Sequence, residues 1–366
     1  MKSYNDLWRK FLSDENIILA YHDYALNSKD DKHTRLFNNN PKQAIINARN
    51  YALKGVIEDH TSKYIKDGSC GKIRKIIRPK RREQILHHMA MNVVSPIFMK
   101  PMYRHVNGSI PERGCVSGRK YLEKWIKNDY KGTKYYLKMD IRKYFENVNH
   151  DILKAKLTKI IKDKKFLAVL CSFVDVRCDG EIITRGIPLG FYTSQWYANF
   201  YLTALDHYIK EELHARYYMR YMDDMIVLDS NKRKLFKIAK AVGKYLREKL
   251  DLELKPNWLI NRLGIEDDYS LDFMGFRFYR NRVTLRKNLL YRLSRKARAI
   301  NKKGANIFTA RQFMSFAGWT KHANVYNNYQ KWVKPYCSKR AIRKKISRYD
   351  RRLRCGKNHN QTTDQH

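Results

Sequence analysis

Ten residues restrict this chain more than any others: Met219-Arg220-Tyr221-Met222-Asp223-Asp224-Met225-Ile226-Val227-Leu228. Two adjacent carboxylates interrupt a mostly apolar run. The pattern predicts one strand from Tyr217 to Met222 and another over Met225–Leu228, with Asp223 and Asp224 at the hairpin tip. Burying neighbouring carboxylates is costly unless a cation neutralises them. Hard oxygen ligands suit Mg²⁺, so a divalent ion is the expected partner. An isolated Asp-Asp pair more often marks a solvated turn, so the reading depends on what the rest of the chain supplies.

The charge balance narrows the partners. The 366 residues carry 76 Lys and Arg against 35 Asp and Glu, a net charge of +41. Self-repulsion on that scale points to a polyanion, nucleic acid first and an anionic membrane second. The chain has no apolar run of about 18 residues and no lipidation signal, which argues against a membrane. Met1–Lys10 lacks the apolar stretch of a signal peptide, so the expected location is cytoplasmic. The cysteines at 70, 115, 171, 178, 337 and 355 form no C-x-x-C pair and read as reduced thiols. A hydrophobic content of 43% indicates a folded protein.

Residues 1–70 read as a polar helical extension. Asp14 precedes Ile17-Ile18-Leu19-Ala20, and Asn38-Asn39-Asn40-Pro41 leads into a helix through Ala44, Ile45, Ala48 and Ala52. Residues 72–82, KIRKIIRPKRR, then hold seven cations in eleven positions. The interleaved Ile73, Ile76 and Ile77 favour an ordered cationic surface suited to phosphates over a solvated charge run. A helix is expected over Glu83–Phe98, with His87 and His88 as packing or RNA-contact residues and not metal ligands. The loop 107–114, NGSIPERG, has Arg113 as its one base, and a helix from Ser117 to about Lys127 follows it.

Tyr135–Asp140 reads as a buried strand ending in an acid, where a metal ligand can be held rigidly; a carboxylate capping the turn is the plainer alternative. An amphipathic helix is expected over His150–Asp163. In the loop 185–195, RGIPLGFYTSQ, Ser194 is the expected N-cap of the next helix. The glycines Gly186 and Gly190 would allow close approach by something flat, such as a base pair. Leu235–Leu250 reads as a helix, Leu250–Leu254 as an edge strand, and Leu271–Phe278 as an apolar hairpin. Residues 281–366 hold 23 Lys and Arg against Asp350 and Asp364, with aromatics throughout, which suits folded or duplex RNA. Gly356–His366 reads as a disordered tail.

In this order the motifs resemble a reverse transcriptase over roughly residues 60–350. The resemblance implies an α+β right-hand polymerase, with helical and β fingers, an antiparallel-sheet palm and a helical thumb. Residues 1–70 would be an N-terminal extension, 71–280 interleaved fingers and palm, and 281–366 the basic thumb. KMDIRKYFENV is similar to the first catalytic motif of that family, which implies Asp140 and the carbonyl of Ile141 as metal ligands beside Asp223 and Asp224. The implied cofactor is two Mg²⁺ ions, with Mn²⁺ as a substitute.

Other roles carry over from the same resemblance. Phe145 would exclude a ribose 2′-hydroxyl. Arg74, Arg82, Gly190 and Gln195 would meet the incoming nucleotide. Arg113, Ser194, Tyr221 and Met222 would contact template or primer, and Phe273, Met274 and Gly275 resemble the primer grip. Lys255 lies near a lysine that the family carries after the hairpin. Gly190-x-x-x-Ser194-Gln195 resembles the reverse transcriptases of diversity-generating retroelements, a bacterial, group II intron-like lineage. That subtype implies an RNA template and RNA/DNA hybrid, dNTPs, a small basic accessory protein and errors at template adenines. A group II intron-like or phage-defence enzyme is the alternative, and an RNA-binding scaffold is the non-enzymatic one.

Overall fold

The computed structural model describes residues 3–28, 31–55, 58–66 and 73–359. Cys70, Lys72 and residues 360–366 of the expected tail lie outside them. Two compact units emerge: Met1–Gly114 with Leu137–Ile260, and Cys115–Tyr136 with Asn261–His366.

The first unit opens with a short helix, Leu7–Phe11, and the next three helices are each started by a short polar side chain. Ser13 caps Asp14–Asn27, Asp31 caps Lys32–Asn39, and Asn40 caps Pro41–Lys54 with Pro41 in the first turn. Ala44, Ile45, Ala48 and Ala52 form the buried stripe of the last. Strand β1 (Asp59–His60) follows, then β2 (Ser62–Lys66) and β3 (Ile73–Ile77), an antiparallel pair running from Ser62↔Ile77 to Lys66↔Ile73. The cationic run therefore does contain a strand. The next helix spans Arg81–Met99, slightly longer than expected, because the Glu83 carboxylate accepts from Lys80 N and closes its first turn.

Strand β4 (Tyr135–Asp140) has the expected bounds. The helix after it is His150–Ile160 and stops short of Asp163. Asp163 instead caps Lys164–Ser172 and also accepts from Leu7 N and Trp8 N, joining the N-terminus to this layer. Short strands β5 (Arg177–Cys178) and β6 (Glu181–Ile182) complete a small sheet with β1 in the order β1-β5-β6. Strands β7 (Tyr217–Tyr221), β8 (Asp224–Asp229) and β9 (Leu259–Arg262) join β4 in a sheet ordered β7-β8-β4-β9. Helix Lys232–Leu250, capped by Asn231, packs on β8.

The expected edge strand at Leu250–Leu254 is absent. Asp251 adopts φ 50° and ends the helix, so the chain turns there, and only Leu254 makes a bridge, to Ile141.

In the second unit, helix Cys115–Asn128 accompanies a three-stranded antiparallel sheet of β10 (Leu271–Phe273), β11 (Phe276–Phe278) and β12 (Val283–Leu285). The β10–β11 hairpin is the expected one. Its turn residues Met274 and Gly275 have φ 52° and 84°, as a tight two-residue hairpin turn requires. A side chain at Gly275 would also be tight: an added Cβ would lie 3.2 Å from the Trp319 ring. Helices Lys287–Lys303, Ile307–Trp319, Tyr326–Trp332 and Lys339–His359 follow. Leu293, Ala297, Phe313, Ala317, Val333 and Ile342 form their core. Tyr291, Phe308, Tyr326 and Trp332 remain exposed. The last helix runs to His359, so Gly356–His359 is helical where disorder was expected.

Candidate active site

The β7–β8 register sets the geometry. Tyr217 pairs with Leu228 and Tyr221 with Asp224, so the turn itself is Met222-Asp223, and Asp224 is the first residue of β8. The tip is thus shifted by one residue from the sequence expectation. Met222 holds φ 56°, a left-handed conformation costly for a side-chain-bearing residue. Its surroundings fix it there. Arg220 Nη1 donates to Met222 O at 3.0 Å, and Gly108 packs so closely that an added Cβ would lie 2.6 Å from Met222 Cγ. The 103–114 loop is tied to the same strand by Asn107 N to Arg220 O (2.9 Å) and Arg220 N to His105 O (3.1 Å).

Sequence reasoning missed what holds this hairpin. Arg220 and Asp206 are both fully buried. Arg220 Nε donates to Asp206 Oδ1 at 2.8 Å and Nη2 to Oδ2 at 2.6 Å, a two-pronged pairing. Tyr218 OH donates to Asp206 Oδ1 at 2.6 Å, and Arg220 Nη1 reaches Asn199 Oδ1 at 3.1 Å. Asn199 Nδ2 in turn donates to Gly108 O at 2.7 Å. Helix, strand, turn and loop thus share one satisfied polar network. Tyr218 and Arg220 alternate with apolar Tyr217 and Met219 along β7, but nothing in that spacing names Asp206 as the partner.

Asp140 and Asp223 meet on different terms. Asp140 ends β4, which lies beside β8 in the sheet. Lys255 N donates to Asp140 O at 2.8 Å, and Lys255 Nζ pairs with Asp140 Oδ2. Asp140 Oδ1 is buried and has no hydrogen-bond partner among the described residues. The Asp223 carboxyl is pushed up to about 6 by burial first, then by the negative charges of Asp140 and Asp224; Lys255 opposes the shift. Negative charge is therefore concentrated here beyond what the chain neutralises.

Among the described residues no three His, Cys, Asp or Glu side chains converge into a ready-made metal cage. Mg²⁺ does not need one: it is commonly held by one or two carboxylates plus water and substrate phosphates. An unpartnered carboxylate oxygen next to a second, destabilised carboxylate fits such an ion. Ile141 is fully buried beside them and bridges Leu254.

The remaining expected residues divide. Gly190 and Gln195 line a cavity of about 540 Å³ with Ile76, Arg78, Arg81 and Tyr192. Gly190 has φ +117°, and an added Cβ would lie 2.4 Å from Ile77 O. The backbone of β3 approaches this glycine and is joined to the loop by Ile77 N to Leu189 O (2.9 Å). Gly186 is crowded in the same way by the carbonyls of Phe145 and Glu146. Ser194 is not an N-cap: the helix spans Tyr192–Tyr201, which buries Ser194 in its first turn and leaves its Oγ unpartnered among the described residues.

Arg74 sits on β3, outside the lining of that cavity. Arg82 is engaged elsewhere: its Nε donates to Glu58 Oε1 at 2.7 Å and its guanidinium covers Tyr51. Arg113 Nη1 donates to Tyr103 O at 3.1 Å and braces its own loop. Phe145 is half-buried, edge-on to Tyr144 at 5.6 Å. Tyr221 is the last residue of β7; Phe273, Met274 and Gly275 form the hairpin of the second unit.

His87 is a packing residue. It is fully buried between Phe173 and Phe191, and its Nδ1 bonds Thr193 Oγ1 at 3.1 Å. Glu83 joins it to His60, whose Nε2 lies 2.6 Å from Glu83 Oε2. Burial opposes the Glu83 charge, but the hydrogen bond with His60 prevails and brings its carboxyl down to about 2; His87 Nε2 lies 3.8 Å from it.

Comparison with known proteins follows the same outline. The profile of the family described as reverse transcriptase (RNA-dependent DNA polymerase) matches residues 64–277. The putative COX1/OXI3 intron 1 protein of Saccharomyces cerevisiae is 22% identical over 136 residues, 36% of this chain and 16% of that protein. The group II intron-encoded protein LtrA of Lactococcus lactis subsp. cremoris is 24% identical over 151 residues, 40% of this chain and 24% of that one. The match thus spans less than a quarter of the length of either relative. Among solved structures, apo telomerase from Candida tropicalis has a TM-score of 0.49 at 14% identity, over 70% of this chain and 52% of that chain.

Proposed function

The chain belongs to the reverse transcriptase (RNA-dependent DNA polymerase) family, and from that premise we propose that it copies RNA into DNA at the Asp140–Asp223 site. The observation that carries the reading is the raised Asp223 carboxyl beside the unpartnered Asp140 oxygen. A divalent ion, Mg²⁺ or Mn²⁺ in its place, supplies a lowered pKa for the primer 3′-hydroxyl and charge neutralisation at the transferring phosphate. The chain's own contribution is placement. Asp140 is fixed by β4, Asp223 by the braced Met222 turn, and Asp224 by the first pair of β8. Ile141 offers its carbonyl beside them.

In this reading Phe145 excludes a ribose 2′-hydroxyl. Gly190, Gln195 and Ser194 flank the nascent pair, and Arg74 and Arg82 serve the triphosphate, Arg82 by exchanging Glu58 for phosphate. Arg113, Tyr221 and Met222 would contact template or primer, and Phe273, Met274 and Gly275 would serve as the primer grip. The basic 281–366 segment acts as thumb and supplies much of the RNA affinity. Among the described residues no helix is long and apolar enough to cross a membrane.

Within this activity, the Gly190-x-x-x-Ser194-Gln195 loop supports the diversity-generating subtype, error-prone at template adenines and aided by a small basic accessory protein. A pocket that tests base-pair shape loosely discriminates by only about 1–3 kcal/mol per methylene-scale misfit.

Primer extension on an RNA of known sequence, with dNTPs and Mg²⁺, tests both levels. Extension is expected, and the cDNA should carry errors concentrated opposite adenine, more so with a basic protein encoded beside the gene. No extension under any divalent ion would favour an RNA-binding scaffold. Faithful, base-independent copying would keep the polymerase and discard the mutagenic subtype.

A further inference from the structure

The second unit holds a cavity of about 530 Å³ bordered by β11, β12 and the helices Lys287–Lys303 and Tyr326–Trp332. Five cations line it, Arg277, Arg282, Lys287, Arg295 and Arg298, against one carboxylate, Asp267. Asp267 is already answered: Tyr279 OH donates to it at 2.6 Å, Lys287 Nζ lies at 2.9 Å and Arg277 Nη1 at 3.4 Å. That leaves Arg282, Arg295 and Arg298 as the cations not engaged by it.

Each of those three guanidinium groups lies over an aromatic ring: Arg282 over Tyr279 at 4.1 Å, Arg295 over Tyr291 at 5.8 Å, and Arg298 over Tyr336 at 5.2 Å. A stacked guanidinium keeps its N–H edge available for an oxyanion. Two further features call for an aromatic ligand. Tyr291 is 64% exposed and Trp332 40% exposed, and both line the cavity. Open rings beside cations form the kind of platform on which nucleic-acid bases stack. The volume is that of a small-ligand pocket, enough for one nucleotide and too narrow for a duplex.

We propose that this cavity takes a single unpaired nucleotide of RNA, its base against Tyr291 and Trp332 and its phosphate at Arg295 and Arg298. The proposal rests on the reading of RNA as the partner. The site shares no residue with the Asp140–Asp223 centre and needs no divalent ion. It would let the protein favour an RNA with an unpaired residue at a set position over a regular duplex.

The test uses the full-length protein and two labelled RNA hairpins, identical except that one carries a bulged adenosine and the other an abasic residue at the same place. Binding is measured by anisotropy at fixed salt. The wild type is expected to bind the bulged RNA about tenfold more tightly, since one base stacked on an aromatic ring is worth that order. Tyr291→Ala and Trp332→Ala should abolish the difference, and Arg295→Ala should weaken both RNAs. Tyr291 and Arg295 are exposed, so thermal midpoints should not move. Equal binding of the two RNAs by the wild type, or a preference kept by Tyr291→Ala, overturns the pocket while leaving the polymerase reading intact. Failure of the wild type to bind either RNA overturns both.

Discussion

Asp206, fully buried, and Asp223, half-buried, are carboxylates at the same hairpin, and their surroundings are opposite. Asp206 receives two N–H groups from Arg220 and the hydroxyl of Tyr218, so its charge is matched and all its neighbours are ordered by it. Asp223 faces two more carboxylates, with Lys255 as the opposing charge. A buried charge that is fully paired sets architecture; one left in excess is a place where a ligand must complete the structure. The first holds the turn that presents the second through Arg220, which pairs with Asp206 and donates to Met222 O.

The largest expected effect is on the satisfied side. Arg220→Met leaves Asp206 buried without its guanidinium partner and with the Tyr218 hydroxyl still donating to it, and should cost about 3–5 kcal/mol in urea unfolding. The double variant with Asp206→Leu should recover much of that loss, since an apolar pair replaces a matched ionic one. A loss below about 1 kcal/mol for Arg220→Met would mean the network does not hold the hairpin.

The acid limb of activity comes next. Metal binding needs Asp223 ionised, so the extension rate should fall as pH drops through about 6. Raising Mg²⁺ should move that limb to lower pH, because a bound cation favours the carboxylate. A limb that ignores Mg²⁺ would separate Asp223 from the metal site.

A smaller effect is expected from Lys255→Met. Removing the charge that opposes the Asp223 shift should raise the acid limb, by under about one pH unit. An unchanged limb would leave Lys255 as a partner of Asp140 alone.

Much of this was legible in the chain. Tyr135–Asp140 reads as a buried strand and ends in its acid, Asn40-Pro41 starts a helix, and the MRYMDDMIVL pattern makes a hairpin. These are local signals in which propensity and burial agree. The illegible parts are relations between distant segments. Arg220 and Asp206 are 14 residues apart on a strand and a helix, and each looks like an ordinary surface charge until β7 is known to be buried. Gly190 was legible as a close approach, but the approaching group, Ile77 O, belongs to a strand more than a hundred residues earlier. Leu250–Leu254 alternates as a strand does, yet Asp251 ends the preceding helix in a left-handed turn and breaks the extension. Ser194 has the chemistry of a cap, but the helix begins two residues before it.

The central claim is that Asp223 is held at a cost to the fold for the sake of a ligand. A carboxyl raised from 3.8 to about 6 is protonated in the folded chain at pH values where the unfolded chain has lost its proton. Stability from this group is therefore full below about 4 and falls as pH rises through about 6. At pH 8 without divalent ions, Asp223→Asn should remove that penalty and be more stable than the wild type by up to about 3 kcal/mol. In the presence of Mg²⁺ the same variant should lose primer extension by more than about 100-fold. The paired measurement, urea unfolding in chelator and extension in Mg²⁺, reads both halves on one protein. A variant less stable than the wild type, or one that still extends a primer at a comparable rate, would contradict the account.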